Sequence, residues 1–235
     1  MNTHIFSTQN DVAKALAEEL ANETAKKDKL YVALSGGSTP KVLFRLLSNL
    51  YQDRIDWSKI HFFWGDERCV PPDAEDSNFG MTKTLLFDKV EIPEANIHRV
   101  KGELSPEEAN TDYIREIKEH VPVANGLPCF DLNILGMGED GHTASIFPDQ
   151  LTLLDQEGPT AIASHPKTGQ KRVTLTGKVI NNSRRVIFLV TGAGKAQRIK
   201  EISHSTGAGY PASYIKSAGG KAEWYLDEEA ASLIK

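Results

Sequence analysis

The sequence predicts an α/β fold in which a mainly parallel sheet carries helices on both faces. Four short apolar runs lack the strict alternation of a half-exposed strand, which indicates strands that are buried on both faces. Segments with apolar residues at helical spacing lie between these runs. Strand, loop and helix in repetition are typical of βαβ units, and therefore of a three-layer sandwich of the Rossmann-like type.

Each of the four predicted strands runs into glycine or charged residues. The segments are KLYVALSGG, KIHFFWGDER, FDLNILGMG and RRVIFLVTGAGK, which begin at Lys29, Lys59, Phe130 and Arg184. Val, Ile, Leu and aromatic residues fill their apolar parts, and these residues favour strands. Because parallel strands end at the same edge of a sheet, we expect the four loops that follow to converge there.

The helices are predicted from apolar spacing and from capping residues. Ser105 precedes Pro106, which suits the first helical position, and Glu108 completes a capping box with Ser105. Pro40 likewise falls in the first turn of its helix. The predicted helices are Asp11 to Ala25, Thr39 to Leu50, Ser105 to His120 and Lys195 to Ile202.

Length and composition favour one domain. A chain of 235 residues, 40% of them hydrophobic, can bury one sizeable core, and no segment has the composition of a linker. An inserted lobe near residues 90–123 is the alternative, but it too lacks a linker. We therefore predict a single domain over residues 1–235, with a surface loop at 156–169, where glycine and proline are frequent.

Charge and composition exclude several functional classes. The net charge of −5 argues against a nucleic-acid partner. No apolar run is long enough for a bilayer, and the N-terminal residues lack a signal-peptide pattern. Cys69 and Cys129 have no metal or redox spacing, and the seven histidines show none either, so no metal or cofactor is expected. These features predict a cytoplasmic protein, either a monomer or a small homo-oligomer.

The loop SGGSTP after the first strand has the composition of an anion site. Gly36 and Gly37 allow a tight turn, while Ser38 and Thr39 place hydroxyls at a helix start. A helix N-terminus offers unpaired N–H donors and partial positive charge, which suit phosphate. The same residues also suit an ordinary strand-to-helix turn with a serine cap, and the residues alone leave both interpretations open.

The loop GDERCVP places three charged residues at a strand end. Asp66, Glu67 and Arg68 cannot enter a buried strand without a large desolvation cost, so they either lie in solvent or line a polar site. The planar guanidinium of Arg68 suits a phosphate or a developing oxyanion. A surface cluster of local ion pairs is the alternative.

The loop TGAGK brings a lysine to a helix start. A cation is disfavoured there by the helix dipole, and an anionic ligand near Lys195 would remove the conflict. Arg172, in the segment GQKRVTLT, is a second candidate cation from a neighbouring strand. A lysine that simply extends into solvent explains Lys195 equally well.

The loop in LGMGEDGHTASIFP carries the best candidate for a general base. Histidine is the side chain best suited to act as a general base toward water, and Asp140 or Glu139 is close enough in sequence to orient the ring of His142. No nucleophile motif or metal-ligand motif accompanies it, so water is the expected attacking group. The residues TASIF after His142 are interpreted as a short helix. A hydrogen-bonded loop histidine without catalytic function is the alternative.

Four blocks of this sequence resemble a known enzyme family. LSGGSTP, WGDERCVP followed by DSNFGM, LNILGMGEDGHTASIFP and VTGAGKA are similar, in order and spacing, to 6-phosphogluconolactonases of the compact α/β type. The wider superfamily includes glucosamine-6-phosphate deaminases and resembles the ribose-5-phosphate isomerase fold. The resemblance implies metal-free hydrolysis of 6-phospho-D-glucono-1,5-lactone to 6-phospho-D-gluconate, in the oxidative pentose phosphate pathway.

The resemblance also implies roles for individual residues. His142 matches the family's proposed base, with Asp140 beside it, and Arg68 matches an arginine that contacts phosphate or developing charge. Asp66, Glu67 and Glu139 are expected to line the same site. The expected phosphate-binding residues are Gly36, Gly37, Ser38, Lys195 and, as a looser match, Arg172.

Two other functions compete with this one. A glucosamine-6-phosphate deaminase shares the glycine–serine loop and the Asp-Gly-His turn, but the deaminases carry tyrosine after Asp-Glu, where this chain has Arg68. A sugar-phosphate-binding regulator without catalysis would keep the anion loop but would have no need of His142. Lactone hydrolysis agrees both with an arginine at position 68 and with the presence of His142.

Overall fold

A computed structural model describes residues 1–234, and it contains one six-stranded parallel sheet. The strand order is β1-β13-β10-β7-β2-β3. The strands of the described chain are β1 Asn2–Phe6, β2 Leu30–Leu34, β3 Ile60–Trp64, β4 Asp66–Arg68, β5 Val123–Ala124, β6 Leu127–Pro128, β7 Leu132–Leu135, β8 Thr160–Ser164, β9 Lys171–Leu175, β10 Arg185–Val190, β11 Lys216–Ser217, β12 Gly220–Lys221 and β13 Glu223–Asp227.

Helices cover both faces of this sheet, which confirms the predicted α/β class. One face packs against α1 and α2 through residues such as Leu16 and Phe44, and the other packs against α4, α5 and α6 through residues such as Ile117 and Ile199. The helices are α1 Gln9–Lys26, α2 Ser38–Leu50, α3 Asn78–Leu85, α4 Pro106–His120, α5 Gly177–Asn182 and α6 Ala196–Ser203.

Local capping explains where the longer helices begin. Ser105 caps α4, Pro106 occupies its first turn and Glu108 closes the capping box, as the sequence predicts. Thr8 and Asp11 form the same box at the start of α1. Helix α6 begins one residue later than predicted, because Ala193–Lys195 form a 3₁₀ turn ahead of it.

A second, antiparallel sheet corrects two predictions. Strands β4, β9 and β8 pair in that order, and β8 lies inside the segment 156–169 that was predicted to be a loop. Asp66 and Glu67 belong to β4 and are buried, although such charged residues were not expected to extend a strand. Both predictions considered only local composition, whereas pairing with β9 and hydrogen bonds from distant residues offset the cost of burying this strand.

The segment TASIF is also not helical. Thr143 and Ile146 form an isolated antiparallel bridge around a tight turn, with Ala144 in the left-handed region at φ 47°. Two bonds hold this turn: Thr143 Oγ1 donates to Gly136 O at 2.9 Å, and the Ser145 N–H donates to Thr174 Oγ1 at 3.2 Å. These tertiary bonds replace the i to i+4 bonds that a helix would need.

None of the helices in the described residues has the length and apolar character needed to span a bilayer.

Candidate active site

A cleft of about 770 Å³, counted with its open mouth, lies at the carboxyl edge of the parallel sheet. Strand β2 continues to β3 on one side, whereas β7, β10 and β13 extend on the other, so the chain changes direction between β2 and β7. Such a switch point leaves a crevice in which ligands of α/β proteins bind. The predicted site residues that border this cleft are Gly36, Gly37, Ser38, Asp66, Arg68, His142, Arg172 and Lys195.

The N-terminus of α2 forms one wall of the cleft. Gly37 is its N-cap, at φ 107° and ψ −178°, and no side chain caps the helix. Only glycine adopts this backbone conformation readily. The first-turn N–H groups therefore lack a side-chain acceptor, which is the arrangement that binds an anion at a helix start. The serine cap considered for this loop is absent.

Gly36 is required by close packing rather than by its dihedral angles. A Cβ built at this position would lie 1.8 Å from Asn78 Oδ1. Asn78 begins α3 and its Nδ2 donates to Asp66 O at 2.9 Å, which joins α3 to β4. Asn78 also borders the cleft. The loop after β2 and the start of α3 therefore meet beside the N-terminus of α2.

Two arginines face each other across the second sheet. Arg68 on β4 is the register partner of Arg172 on β9, and both border the cleft. Like charges directly opposite each other are destabilising unless an anion lies near them. The Nε groups of both arginines are buried and hydrogen-bond to no described residue. Burial lowers the pKa of Arg172, and Arg68 adds to this effect.

Asp66 and Ser145 hold Arg172 in place. Ser145 Oγ donates to Asp66 Oδ2 at 2.5 Å, and Arg172 Nη1 lies 3.4 Å from Ser145 Oγ and 3.8 Å from Asp66 Oδ2. All three side chains are buried. Asp66 thus balances part of the positive charge of Arg172. Because Arg68 also borders the cleft, the two arginines still supply more positive charge than Asp66 neutralises.

The turn after β7 carries the histidine. His142 Nδ1 lies 2.6 Å from Asp140 Oδ1, and the His142 backbone N–H donates to the same oxygen at 3.2 Å. A carboxylate only accepts, so Nδ1 carries the proton and Nε2 keeps its lone pair. The hydrogen bond from His142 lowers the pKa of Asp140 to about 2. Asp140, rather than Glu139, therefore orients the ring.

Glycines let this turn close tightly. A Cβ on Gly138 would lie 2.2 Å from His142 Nδ1, and a Cβ on Gly141, at φ 82°, would lie 2.7 Å from the Tyr210 side chain. The Gly138 N–H donates to His142 O at 2.9 Å. Tyr210 belongs to a network that continues through Glu201 to Arg198, whose Nε donates to Glu139 O at 2.9 Å. This network ties α6 to the histidine turn.

Lys195 lies at the start of α6 and borders the cleft. It forms no ion pair with any described carboxylate, and its half-buried position lowers its pKa. Thr39 Oγ1 on α2 and Thr191 Oγ1 after β10 are 2.9 Å apart, so the loop that carries Lys195 adjoins the N-terminus of α2. This contact brings a cation toward the unpaired N–H groups.

Two predicted site residues lie elsewhere. Glu67 does not line the cleft: its carboxylate accepts from the N–H groups of Arg68, Asn78 and Phe79, at 2.7 to 2.8 Å, and fixes the start of α3. Glu139 is exposed and contributes its backbone carbonyl to Arg198. Two of the three donors to Glu67, and the donor to Glu139, lie at least 11 residues away in sequence.

Sequence reasoning missed three cleft or supporting residues. Asn78 and Thr191 border the cleft, and Ser145 supports Arg172. Asn78 lies in the segment DSNFGM, from which the sequence predicts no site residue. The motif DSNFGM carried a signal for it, because an asparagine directly after a serine N-cap is well placed to bond a neighbouring strand. Ser145 had no signal, since it was assigned to a helix.

The arrangement suits attack on an anionic substrate. A helix N-terminus, Lys195 and two arginines border the cleft. The imidazole of His142 borders the same cleft, and its Nε2 can take a proton from water. No serine or cysteine hydrogen-bonds His142 among the described residues, so no activated nucleophile other than water is present.

Comparisons with known proteins find relatives that match nearly the whole of this chain. The family of glucosamine-6-phosphate isomerases and 6-phosphogluconolactonases matches residues 7–224. A 6-phosphogluconolactonase of Haemophilus influenzae is 43% identical, over 100% of both chains. A crystal structure of a protein named devB is 44% identical with a TM-score of 0.95, over 100% of this chain and 99% of that one. The 6-phosphogluconolactonase of Thermotoga maritima is 33% identical with a TM-score of 0.84, over 96% and 99%.

Proposed function

The chain belongs to the family of glucosamine-6-phosphate isomerases and 6-phosphogluconolactonases, and we propose that it is a lactonase. Its reaction is the hydrolysis of 6-phospho-D-glucono-1,5-lactone to 6-phospho-D-gluconate, a step of the oxidative pentose phosphate pathway. One observation carries the proposal: the uncapped N-terminus of α2 and the ring of His142 border the same cleft.

The phosphate end of the substrate binds at the α2 N-terminus. The Gly36-Gly37-Ser38 backbone and Lys195 supply donors and charge, and one of the two arginines adds a planar guanidinium. Arg172 is the better candidate for this role, because Ser145 and Asp66 fix it in place. These contacts hold the substrate equally in the ground state and in the transition state.

The chemistry takes place at His142. Its Nε2 removes a proton from water as the water oxygen attacks the lactone carbonyl, and Asp140 stabilises the imidazolium that forms. Negative charge develops on the carbonyl oxygen, and Arg68, whose buried Nε has no other partner, stabilises it. The tetrahedral intermediate then collapses, the ring C–O bond breaks, and the ring oxygen receives the proton that His142 Nε2 took from water. No step needs a metal or another cofactor.

A substrate comparison tests this function. We expect rapid hydrolysis of freshly prepared 6-phosphogluconolactone in a pH-stat, and much slower hydrolysis of glucono-1,5-lactone, which lacks the phosphate. Release of ammonia from glucosamine 6-phosphate would instead support a deaminase. Tight binding of 6-phosphogluconate without any acceleration of hydrolysis would support a regulator without catalysis.

The cellular setting is proposed on the same basis. Cys69 and Cys129 are free thiols, which agrees with a reducing compartment such as the cytoplasm. The partner is a small sugar-phosphate lactone, and the net charge of −5 gives no reason to expect nucleic acid. We propose a monomer or a small homo-oligomer, which light scattering after size exclusion measures directly.

A further inference from the structure

Three potential metal ligands meet at the edge of β3, apart from the cleft. His98 Nδ1 lies 2.7 Å from Glu116 Oε1, and His120 Nε2 lies 3.3 Å from the same oxygen. One ligand atom from each of the three residues lies within 4.8 Å of the other two. The sequence predicted no such group, because His98 is far in sequence from Glu116 and His120. Tertiary packing brings them together.

The backbone holds these residues in register. Glu116 and His120 are four residues apart on α4, so they lie on one face of the helix. Tyr113, on the same face, accepts a hydrogen bond from Trp64 N and donates one to Trp64 O, both at 2.8 Å. The His98 N–H donates to Phe62 O at 2.9 Å. Strand β3 therefore positions all three candidate ligands.

We propose that His98, Glu116 and His120 form a structural site for a divalent metal ion of the zinc type. Two imidazole nitrogens and one carboxylate oxygen are a donor set for Zn²⁺, Co²⁺ or Ni²⁺, and not for Mg²⁺ or Ca²⁺, which prefer oxygen. Zinc–ligand distances are about 2.0–2.2 Å, so small side-chain movements suffice to enclose an ion. Glu116 and His120 are partly exposed, which gives the ion a path from solvent.

His61 supplies the outer contact that metal-binding histidines need. Its Nδ1 lies 3.0 Å from His98 Nε2. Without metal, the His61 Nδ1–H donates to His98 Nε2, and the His98 Nδ1–H donates to Glu116. When an ion binds to His98 Nδ1, this nitrogen releases its proton to solvent. The proton on His61 Nδ1 then moves to His98 Nε2, and His61 takes one proton from solvent at Nε2. Both rings stay neutral, and a partner fixes the ligating nitrogen.

The ion joins the C-terminal turn of α4 to the segment beside β3, so its effect is on stability, and this site is independent of the proposed lactonase function.

Metal titration of the full chain, after treatment with a chelator, tests the site. We expect one equivalent of Zn²⁺ to bind in calorimetry and Co²⁺ to produce the absorption of a low-symmetry site. At a hundredfold excess over Kd, the midpoint of thermal unfolding should rise by about 5–10 °C. No binding at millimolar metal would overturn the proposal.

Matched variants locate the ion. His120→Gln and Glu116→Gln should weaken binding by at least about tenfold, since even the loss of an outer contact costs that much. His204→Gln is the control, because His204 also ends a helix but lies outside the group. Circular dichroism of each metal-free variant checks its fold. If His142→Gln lost metal binding while His120→Gln kept it, the ion would bind in the cleft, and the proposed site at His98, Glu116 and His120 would be wrong.

Discussion

Two histidine–carboxylate pairs in this protein have nearly the same geometry and different environments. His142 Nδ1 lies 2.6 Å from Asp140, and His98 Nδ1 lies 2.7 Å from Glu116. The His142 side chain is 27% exposed and borders the cleft, whereas that of His98 is 2% exposed. The His98 ring stacks on Phe63 with centroids 4.3 Å apart.

The second ring nitrogen separates the two pairs. His98 Nε2 contacts His61, whereas His142 Nε2 has no hydrogen-bond partner among the described residues. A base needs an accessible lone pair, so the His142 pair suits proton transfer and the His98 pair suits structure. A histidine–carboxylate pair therefore does not by itself identify a catalytic base. The distinguishing feature is whether the second ring nitrogen of the histidine is free to accept a proton.

The largest expected effect is that of His142→Gln. Glutamine occupies similar space but cannot act as a base near neutral pH, so kcat should fall by about 10²–10⁴-fold. Steady-state kinetics with 6-phosphogluconolactone measure this, and an unchanged thermal midpoint shows that the fold persists. His98→Gln is the counterpart and should lower stability while kcat stays unchanged. Full activity of His142→Gln would remove the general-base role.

Asp140→Asn should have a smaller effect. The amide keeps the size of the side chain but loses the negative charge that stabilises the imidazolium, and it can present its NH₂ group to His142 Nδ1. A hydrogen bond to a charged group contributes about 1.5–3 kcal/mol, so kcat should fall by about 10–100-fold. Glu139→Gln is the control and should retain normal kcat. Equal losses in both variants would contradict the assignment of Asp140.

Lys195→Ala tests the proposed phosphate contact. Because phosphate is bound in the ground state and the transition state alike, KM should rise by about tenfold with little change in kcat. Lys195→Arg should recover part of the affinity, and glucono-1,5-lactone should show no such rise in KM. An unchanged KM for the phosphorylated substrate would place the phosphate elsewhere.

Acid should destabilise the protein through the histidines at β3. The pKa of His61 is about 4 in the folded state, below its ordinary value of 6.5. Between these values the unfolded chain binds a proton that folded His61 does not. The free energy of unfolding should therefore fall by about 1–3 kcal/mol from pH 7 to pH 4. Urea unfolding across this range measures the slope, and His61→Phe, which preserves the stack on Tyr31, should flatten it.

The smallest expected effect on catalysis is that of a chelator. EDTA should leave kcat and KM unchanged at 25 °C, since the proposed mechanism activates water through His142 without a metal. Any effect should fall on thermal stability, at the His98 group. A loss of activity that added zinc restores would overturn the metal-free mechanism.

The sequence predicted much of the framework from local patterns. The capping box at Ser105 and Glu108 and the uniform apolar strands around Val32 and Phe188 are encoded within a few neighbouring residues. The edge strand β1 was missed, because its half-exposed residues carry no apolar run. Strand β8 was missed because its segment has the composition of a loop and its stability comes from antiparallel pairing with β9. Strand β9 was expected only as the neighbouring strand that carries Arg172, and its pairing with β4, about a hundred residues earlier, could not be predicted locally.

The sequence by itself determined the α/β class, the four strands and four helices that it predicted, and the four loops that carry the candidate site residues. Only the tertiary structure decided that Arg68 lies opposite Arg172 in the second sheet. It also decided that the Glu67 carboxylate accepts three N–H hydrogen bonds and that His98 contacts Glu116. Periodicity, capping and turn chemistry act over a few residues of chain. Burial, charge balance and access to a free nitrogen are fixed only when distant segments pack against one another.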